Sequence, residues 1–181
     1  MRIFNRIGRI FVSGFFGSIY NKLSISKYMK SKTKNLKHFG IKIEGIPKYI
    51  APDVYFDSSC PSNISLGDNI TISKQVCFLT HDYSITTALA AIGKRIRRGD
   101  AEKEVYFNKK IEIGNDCFIG LRSIILPGTK IGNNTIVGGG AVVKGVIPDN
   151  SVIVGNPARI IEKTTDFANK HLELNDFEQE R

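Results

Sequence analysis

The sequence predicts an all-β chain, a parallel β-helix wound from six-residue units, and three observations predict it. A large aliphatic side chain returns at every sixth residue, a small one follows four places later, and Gly-Asn or Gly-Asp pairs recur between them. Ile113, Ile119, Ile125, Ile131, Val137 and Val143 set the period, with Cys117, Ser123, Thr129, Thr135 and Ala141 at the fourth following place. A helix repeats at 3.6 residues and a half-buried strand at two, so neither generates this pattern alone. One unit buries too little to stand by itself, so units stack, and three of them close a triangular coil.

An earlier block carries the same frame through Val54, Cys60, Leu66, Ile72 and Phe78, with Ser58, Ile64, Ile70 and Val76 at the fourth place. Coils are therefore expected at 48–65, 66–83, 113–130 and 131–148, about five in all once the flanks are included. Gly67-Asp68, Gly114-Asn115 and Gly132-Asn133 fall at corners, where positive φ or side-chain-to-backbone hydrogen bonds are needed. Phe78 and Ile113 are 35 residues apart, which is not a multiple of six, so an insert separates the blocks. It spans about 82–106, contains Lys94-Arg95-Ile96-Arg97-Arg98-Gly99, lacks the repeat and is expected as a long loop.

The ends differ from this body. Residues 1–38 hold nine bases and no acid, whereas 39–181 hold the remaining 17 bases against all 17 acids, so the net charge of +9 belongs entirely to the start. A nucleic-acid-binding body is excluded on that ground. Ile3, Ile7, Ile10, Phe11 and Phe15 recur at helical spacing opposite Arg2, Arg6 and Arg9, which predicts a basic amphipathic arm. Ser24 to Lys37 reads as a solvated helix or linker, giving an arm over 1–40. The β-helix domain then covers 41–163, with Ser151 to Arg159 ending the stack, and a polar helical tail covers 164–181, its Leu172, Leu174 and Phe177 capping the open coil edge. Two readings of residues 1–38 stand: packing on the protein, or peripheral contact with an anionic membrane surface.

Cys60, Cys77 and Cys117 show no CxxC spacing and form no disulfide framework, which points to a reducing compartment, the cytoplasm, at its membrane face if the arm binds lipid. The apolar run from Ile10 to Tyr20 is too short to span a bilayer and lacks a cleavage signature. Cys60 and Cys117 take inward frame positions, so they read as small buried residues and not as acyl-carrying nucleophiles.

With Ile113-Gly-Asn-Asp-Cys-Phe-Ile-Gly120, Gly138-Gly-Gly-Ala-Val-Val143 and Gly155-Asn-Pro-Ala-Arg159 in one frame, and His81 at the edge of the insert, the sequence resembles the hexapeptide-repeat acyltransferases. It looks closest to their maltose, galactoside and polysaccharide O-acetyltransferase branch, over about residues 48–163. The resemblance implies a left-handed parallel β-helix, a homotrimer with active sites between subunits, and acetyl-CoA as donor to a saccharide hydroxyl or surface-glycan intermediate. An amino-sugar N-acyltransferase or an antibiotic acetyltransferase on the same fold, and a repeat scaffold that only binds proteins, are the alternatives.

His81 matches the family's catalytic histidine, while His38 and His171 lie outside the coils. An imidazole can take the proton of an attacking hydroxyl with no metal, and a metal-dependent carbonic anhydrase on this architecture would need several coil histidines. The resemblance puts the CoA arm along Gly139, Gly140 and Ala141 and against Gly120-Leu121. Gly138 is explained as a crowded corner, and the two glycines after it exceed what the repeat needs. Lys144 matches a position near CoA and Arg159 the terminal arginine near the nucleotide. Phe118 stands where sugar-acetylating relatives carry Trp, and their acceptor-binding Asn has no match near Tyr55 to Asp57, so the acceptor is left open.

Overall fold

Short strands stack in parallel on three faces in the computed structural model, which describes residues 25–96 and 104–178, and the result is a left-handed β-helix. The first face holds Lys42–Ile43, Ile64–Leu66, Ile111–Ile113, Lys130–Ile131 and Val146–Ile147. The second holds Tyr49–Ile50, Thr71–Ile72, Phe118–Ile119, Ile136–Val137 and Ser151–Val154, and the third Tyr55–Phe56, Cys77–Phe78, Ile124–Ile125 and Val142–Val143. The last residue of nearly every rung points inward, which builds columns such as Ile50, Ile72, Ile119, Val137 and Ile153, all fully buried. Phe56 and Phe78 stack at 5.1 Å. Each such side chain contributes about 1.5–3 kcal/mol on burial.

In the second block the rungs pair at a spacing of three hexads, as Ile113 with Ile131, Ile119 with Val137 and Ile125 with Val143, until the last coil drops two residues after Val143 and pairs Ile131 with Ile147 and Val137 with Ile153. The first block departs from that spacing. Ile50 pairs with Ile72 and Phe56 with Phe78, 22 residues apart, because ten residues rather than six separate Phe56 from Leu66 and fold into a bulge with a 3-10 turn at Pro61–Asn63. The inward positions are thus Ile50 and Phe56. Val54 takes a small-residue place, and Cys60, expected inward, opens the 3-10 turn half-buried.

Close approach of the coils explains the first corner, between faces one and two. A Cβ on Gly114 would lie 2.8 Å from the backbone of Gly132 and Asn133 in the next coil. The following residue closes a ladder: Asn115 Oδ1 accepts the Asp68 amide, Asn133 Oδ1 the Asn115 amide and Asp149 Oδ1 the Asn133 amide, at 2.7–2.8 Å. Positive φ falls one residue later still, at Asn69, Asp116, Asn134 and Asn150. Glycine therefore supplies space and Asn or Asp supplies the turn.

The insert leaves the third corner, between faces three and one. Phe78 pairs with Ile125, 47 residues on, so 47 − 18 = 29 residues are extra. They return at Lys109, whose amide donates to the Thr80 carbonyl at 2.8 Å. An antiparallel pair, His81–Asp82 with Phe107–Asn108, closes the neck. Where an irregular loop was expected, the insert contains a helix at Ser84–Ala91 that buries none of its residues.

Both coil ends are covered. Helix α1 (Ile25–Phe39) lies against the first coil, burying Tyr28, Met29, Lys32 and Leu36, so the stretch expected to be solvated packs by one face. The Tyr28 hydroxyl donates to the Ile50 carbonyl and Lys32 Nζ to the Pro52 carbonyl, at 2.5 and 3.2 Å, which satisfies exposed rung carbonyls. At the other end, Arg159–Lys163 runs antiparallel to Ser151–Val154. That strand covers the edge. The helical tail, Thr164–Leu174, leaves Leu172, Leu174 and Phe177 exposed, contrary to the capping role expected of them. The stripe from Ile3 to Phe15 lies outside the described residues, among which no helix is long and apolar enough to cross a membrane.

Burial lowers the Lys32 ammonium from 10.5 to about 8, against a smaller opposing effect of Asp53. The unfolded chain then holds a proton that the fold does not between those values, so stability rises with pH from about 8. Tyr28, pushed up by burial, reverses the trend above about pH 10 as unfolded tyrosine ionises. Denaturant titrations between pH 7.5 and 9.5 are expected to show that rise, and Lys32→Met to flatten it.

Candidate active site

Asp57 sits at the start of the third corner, directly after the inward Phe56, in the coil beneath His81. It is 0% exposed, and each of its oxygens has donors: the Ser59 amide reaches Oδ1 at 2.9 Å, while the Thr80 amide and hydroxyl reach Oδ2 at 2.9 and 2.8 Å. His81 Nδ1 lies 2.5 Å from the same Oδ2. Burial would raise this carboxyl, but the bonds from Ser59, Thr80 and His81 outweigh it and hold Asp57 at about 2. An ionised carboxylate only accepts, so in the neutral imidazole Nδ1 carries the hydrogen and Nε2 keeps the lone pair. The His81 side chain is 25% exposed, with Tyr83 and Tyr106 edge-on to its ring at 5.5 and 6.3 Å.

Asp57 is the residue that the sequence reading missed. Its frame is hidden by the 22-residue coil, and the available signal is a lone acid after an inward aromatic, followed by Ser58-Ser59. Asp82, next to His81, points elsewhere. Its Oδ1 accepts the Ser84 amide at 2.8 Å and opens the insert helix. The Ser84 amide and hydroxyl hold its carboxyl below the usual carboxylate range, with Lys144 and His81 adding smaller favourable charge.

The second corner, between faces two and three, gathers a different set. Gly120 and Leu121 turn one coil there, Gly139, Gly140 and Ala141 turn the next, and Phe118 stands exposed at the end of the rung leading in. Arg159 pairs with Val154 at the same end of face two. A Cβ on Gly120 would lie 2.6 Å from Gly139 N and Val137 O, so stacking alone demands that glycine. Gly140, at φ +71°, occupies the left-handed place that Gln75 and Arg122 take in the coils below. The corner thus explains more of these glycines than the sequence reading allowed. Gly139 and Gly140 are nonetheless exposed, and nothing stands within 4 Å of a Cβ at Gly140, which leaves an open strip of backbone flanked by Leu121 and Phe118.

Lys144 does not join that strip. It follows the Val142–Val143 rung, hence lies on the third corner with His81, close enough to Asp82 to act on it electrostatically. One chain therefore carries two groups at different corners: Asp57, His81 and Lys144 at the third; Phe118, Gly120, Leu121, Gly139, Gly140, Ala141 and Arg159 at the second.

Comparison with known proteins agrees with the architecture. The bacterial transferase hexapeptide model (six repeats) matches residues 110–145. A galactoside O-acetyltransferase of Escherichia coli K12 is 30% identical over 73% of this chain and 68% of its own, and protein CapG of Staphylococcus aureus is 34% identical over 86% and 84%. The chain belongs to the hexapeptide-repeat acyltransferases. A solved galactoside acetyltransferase in complex with coenzyme A shares the fold, with a TM-score of 0.56 at 21% identity, covering 95% of this chain and 90% of that one.

Within this acyltransferase Cys77 and Cys117 are poorly placed for nucleophilic work. Cys117 is buried, donates to the Gly132 carbonyl at 3.1 Å and is pushed by burial up to about 11. Burial and the Asp57 charge also raise Cys77. A thiol kept protonated is a weak nucleophile.

The depressed Asp57 carboxyl contributes stability that is present above about pH 4 and lost as pH falls through about 2, on the order of 2 kcal/mol. Asp57→Asn is expected to be less stable at pH 7 and to lose less than the wild type between pH 4 and pH 2, checked by urea midpoints at each pH.

Proposed function

We propose that this acyltransferase moves an acetyl group from acetyl-CoA to a hydroxyl of a saccharide, by direct transfer with His81 as general base. The observation that supports the reading most is the Asp57–His81 pair: with Nδ1 tied to a buried carboxylate, Nε2 is left with its lone pair on the side of the ring away from Asp57. The acceptor proton passes to Nε2 as its oxygen bonds to the acetyl carbon, and the imidazole returns that proton to the departing sulfur. Asp57 stabilises the imidazolium between those events and fixes the ring.

The second corner supports the donor assignment. Exposed backbone at Gly139 and Gly140 lets an extended pantetheine lie close, Phe118 and Leu121 give it apolar walls, and the Arg159 guanidinium suits a phosphate. Lys144, at the third corner, is within reach of the acceptor side instead. Because the two groups sit at different corners of one triangular coil, the complete site is proposed to form where the second corner of one protomer meets the third corner of another. A homotrimer satisfies this by threefold symmetry.

The saccharide acceptor rests on the galactoside O-acetyltransferase among the relatives. A cytoplasmic setting at the inner membrane face is proposed with it, since a glycan intermediate held at a membrane would give the basic arm a purpose.

His81→Ala is expected to bind acetyl-CoA as the wild type does, by calorimetry, and to lose about 10²–10⁴-fold in kcat. Unchanged turnover removes His81 from the mechanism. Asp57→Asn, which acts through His81, is expected to lower kcat by about tenfold or more with KM near the wild-type value. An acceptor screen with thiol detection should yield hydroxylamine-labile ester products; exclusive acetylation of amines overturns the O-acetyl assignment.

Sedimentation with anionic vesicles at low salt tests the arm. Full-length protein is expected to bind and a chain lacking residues 1–24, which keeps α1, to stay free; if neither binds, the membrane reading is wrong.

A further inference from the structure

The insert adds an aromatic surface beside the Asp57–His81 pair that the steps above do not use. Tyr83 follows His81-Asp82 out of the neck, and Tyr106 precedes Phe107 on the way back. The neck pairs Asp82 with Phe107, which sets Tyr83 and Tyr106 opposite each other as the next cross-strand neighbours. Their ring centroids are 4.9 Å apart at 34°. Both rings stand nearly perpendicular to the imidazole, at 81° and 87°, so the three rings make one aromatic wall beside Asp57.

This wall is held in place before any ligand arrives. The Tyr83 carbonyl accepts the Thr86 amide at 3.0 Å and the Thr86 hydroxyl at 2.7 Å, and the Asp82 side chain fixes the turn between them. Tyr106 is anchored by the neck pairing that follows it. Yet Tyr83 is 41% and Tyr106 44% exposed, so much of their apolar surface meets water and is available to whatever docks at His81.

We propose that Tyr83 and Tyr106 form the acceptor platform of this enzyme, receiving a pyranose ring whose C–H face lies on the aromatic wall while one of its hydroxyls reaches His81 Nε2. This rests on the acetyl-transfer reading above and narrows its acceptor. The negative face of an aromatic ring attracts positively polarised C–H groups, and a pyranose offers a patch of them with its hydroxyls projecting outward from the edge. A cationic amine would also be drawn to such rings, and the acceptor comparison below separates the two classes.

The test uses the full chain, acetyl-CoA, and methyl pyranosides of glucose, galactose, mannose and N-acetylglucosamine, with sorbitol and galactitol as ring-free controls and release of free thiol as readout. At least one pyranoside is expected to be acetylated and the hexitols much less. For that pyranoside Tyr83→Ala and Tyr106→Ala are each expected to raise KM about tenfold, with kcat and the acetyl-CoA dissociation constant changing by less than about threefold. Tyr106→Phe, which keeps the ring face, should recover most of the lost affinity. Unchanged KM in the alanine variants overturns the platform, as does a phenylalanine variant as weak as alanine, and so does a wild type that binds acetyl-CoA but serves hexitols or amines as well as pyranosides or uses no pyranoside. A wild type that fails to bind acetyl-CoA instead overturns the transferase reading.

Discussion

The distance between neighbouring coils governs this molecule. Parallel strand pairing fixes it at about 4.8 Å, so anything placed at a corner has to coexist with its copy one step above and one below. Gly114 and Gly120 are glycine because a methyl group there would overlap the next turn of backbone. Asn115, Asn133 and Asp149 follow because a short polar side chain can accept the amide of the neighbouring coil at the same spacing. The inward columns obey the same limit, with one buried residue per rung.

A scaffold so constrained can host chemistry only where the repeat is interrupted. The two largest interruptions fall on the third corner: the bulge after Phe56 in the first block, and the 29-residue insert one coil above it. The bulge brings Asp57 and the Ser59 amide into position, and the insert starts with His81 directly overhead. Neither alone makes a site. The carboxylate without His81 would be a buried charge satisfied by Ser59 and Thr80, and the imidazole without Asp57 would have no fixed tautomer.

This division explains what could be read from the sequence. Where Ile113 to Val143 repeat without a break, period, inward face and corner residues were all legible, because each hexad repeats the same physical problem. The insert was legible as a loss of period, and His81 as the histidine at its edge. Asp57 was not, since the frame through Val54 and Cys60 held by coincidence of residue type while the chain took four extra residues before Leu66. The capping ends were misread for a related reason. Periodicity reports what repeats, and α1 and the Arg159–Lys163 strand occur once each, so their burial follows from the unpaired rung edges that they cover and not from any pattern of their own.

The buried carboxylate also limits what the site can do. A neutral partner such as Asn could accept from Nδ1 but would not stabilise an imidazolium, whereas an ionised Asp57 would do so in the proposed reaction as well as orient the ring. Three further donors share that charge, from Ser59 and Thr80, so the carboxylate remains ionised while buried without drawing its proton from His81. The tautomer and orientation of the imidazole are thereby set in the coil below. In the proposed reaction acceptor binding can then vary through the insert, whose helix buries none of its residues, while the Asp57–His81 pair is held at the stacked coils.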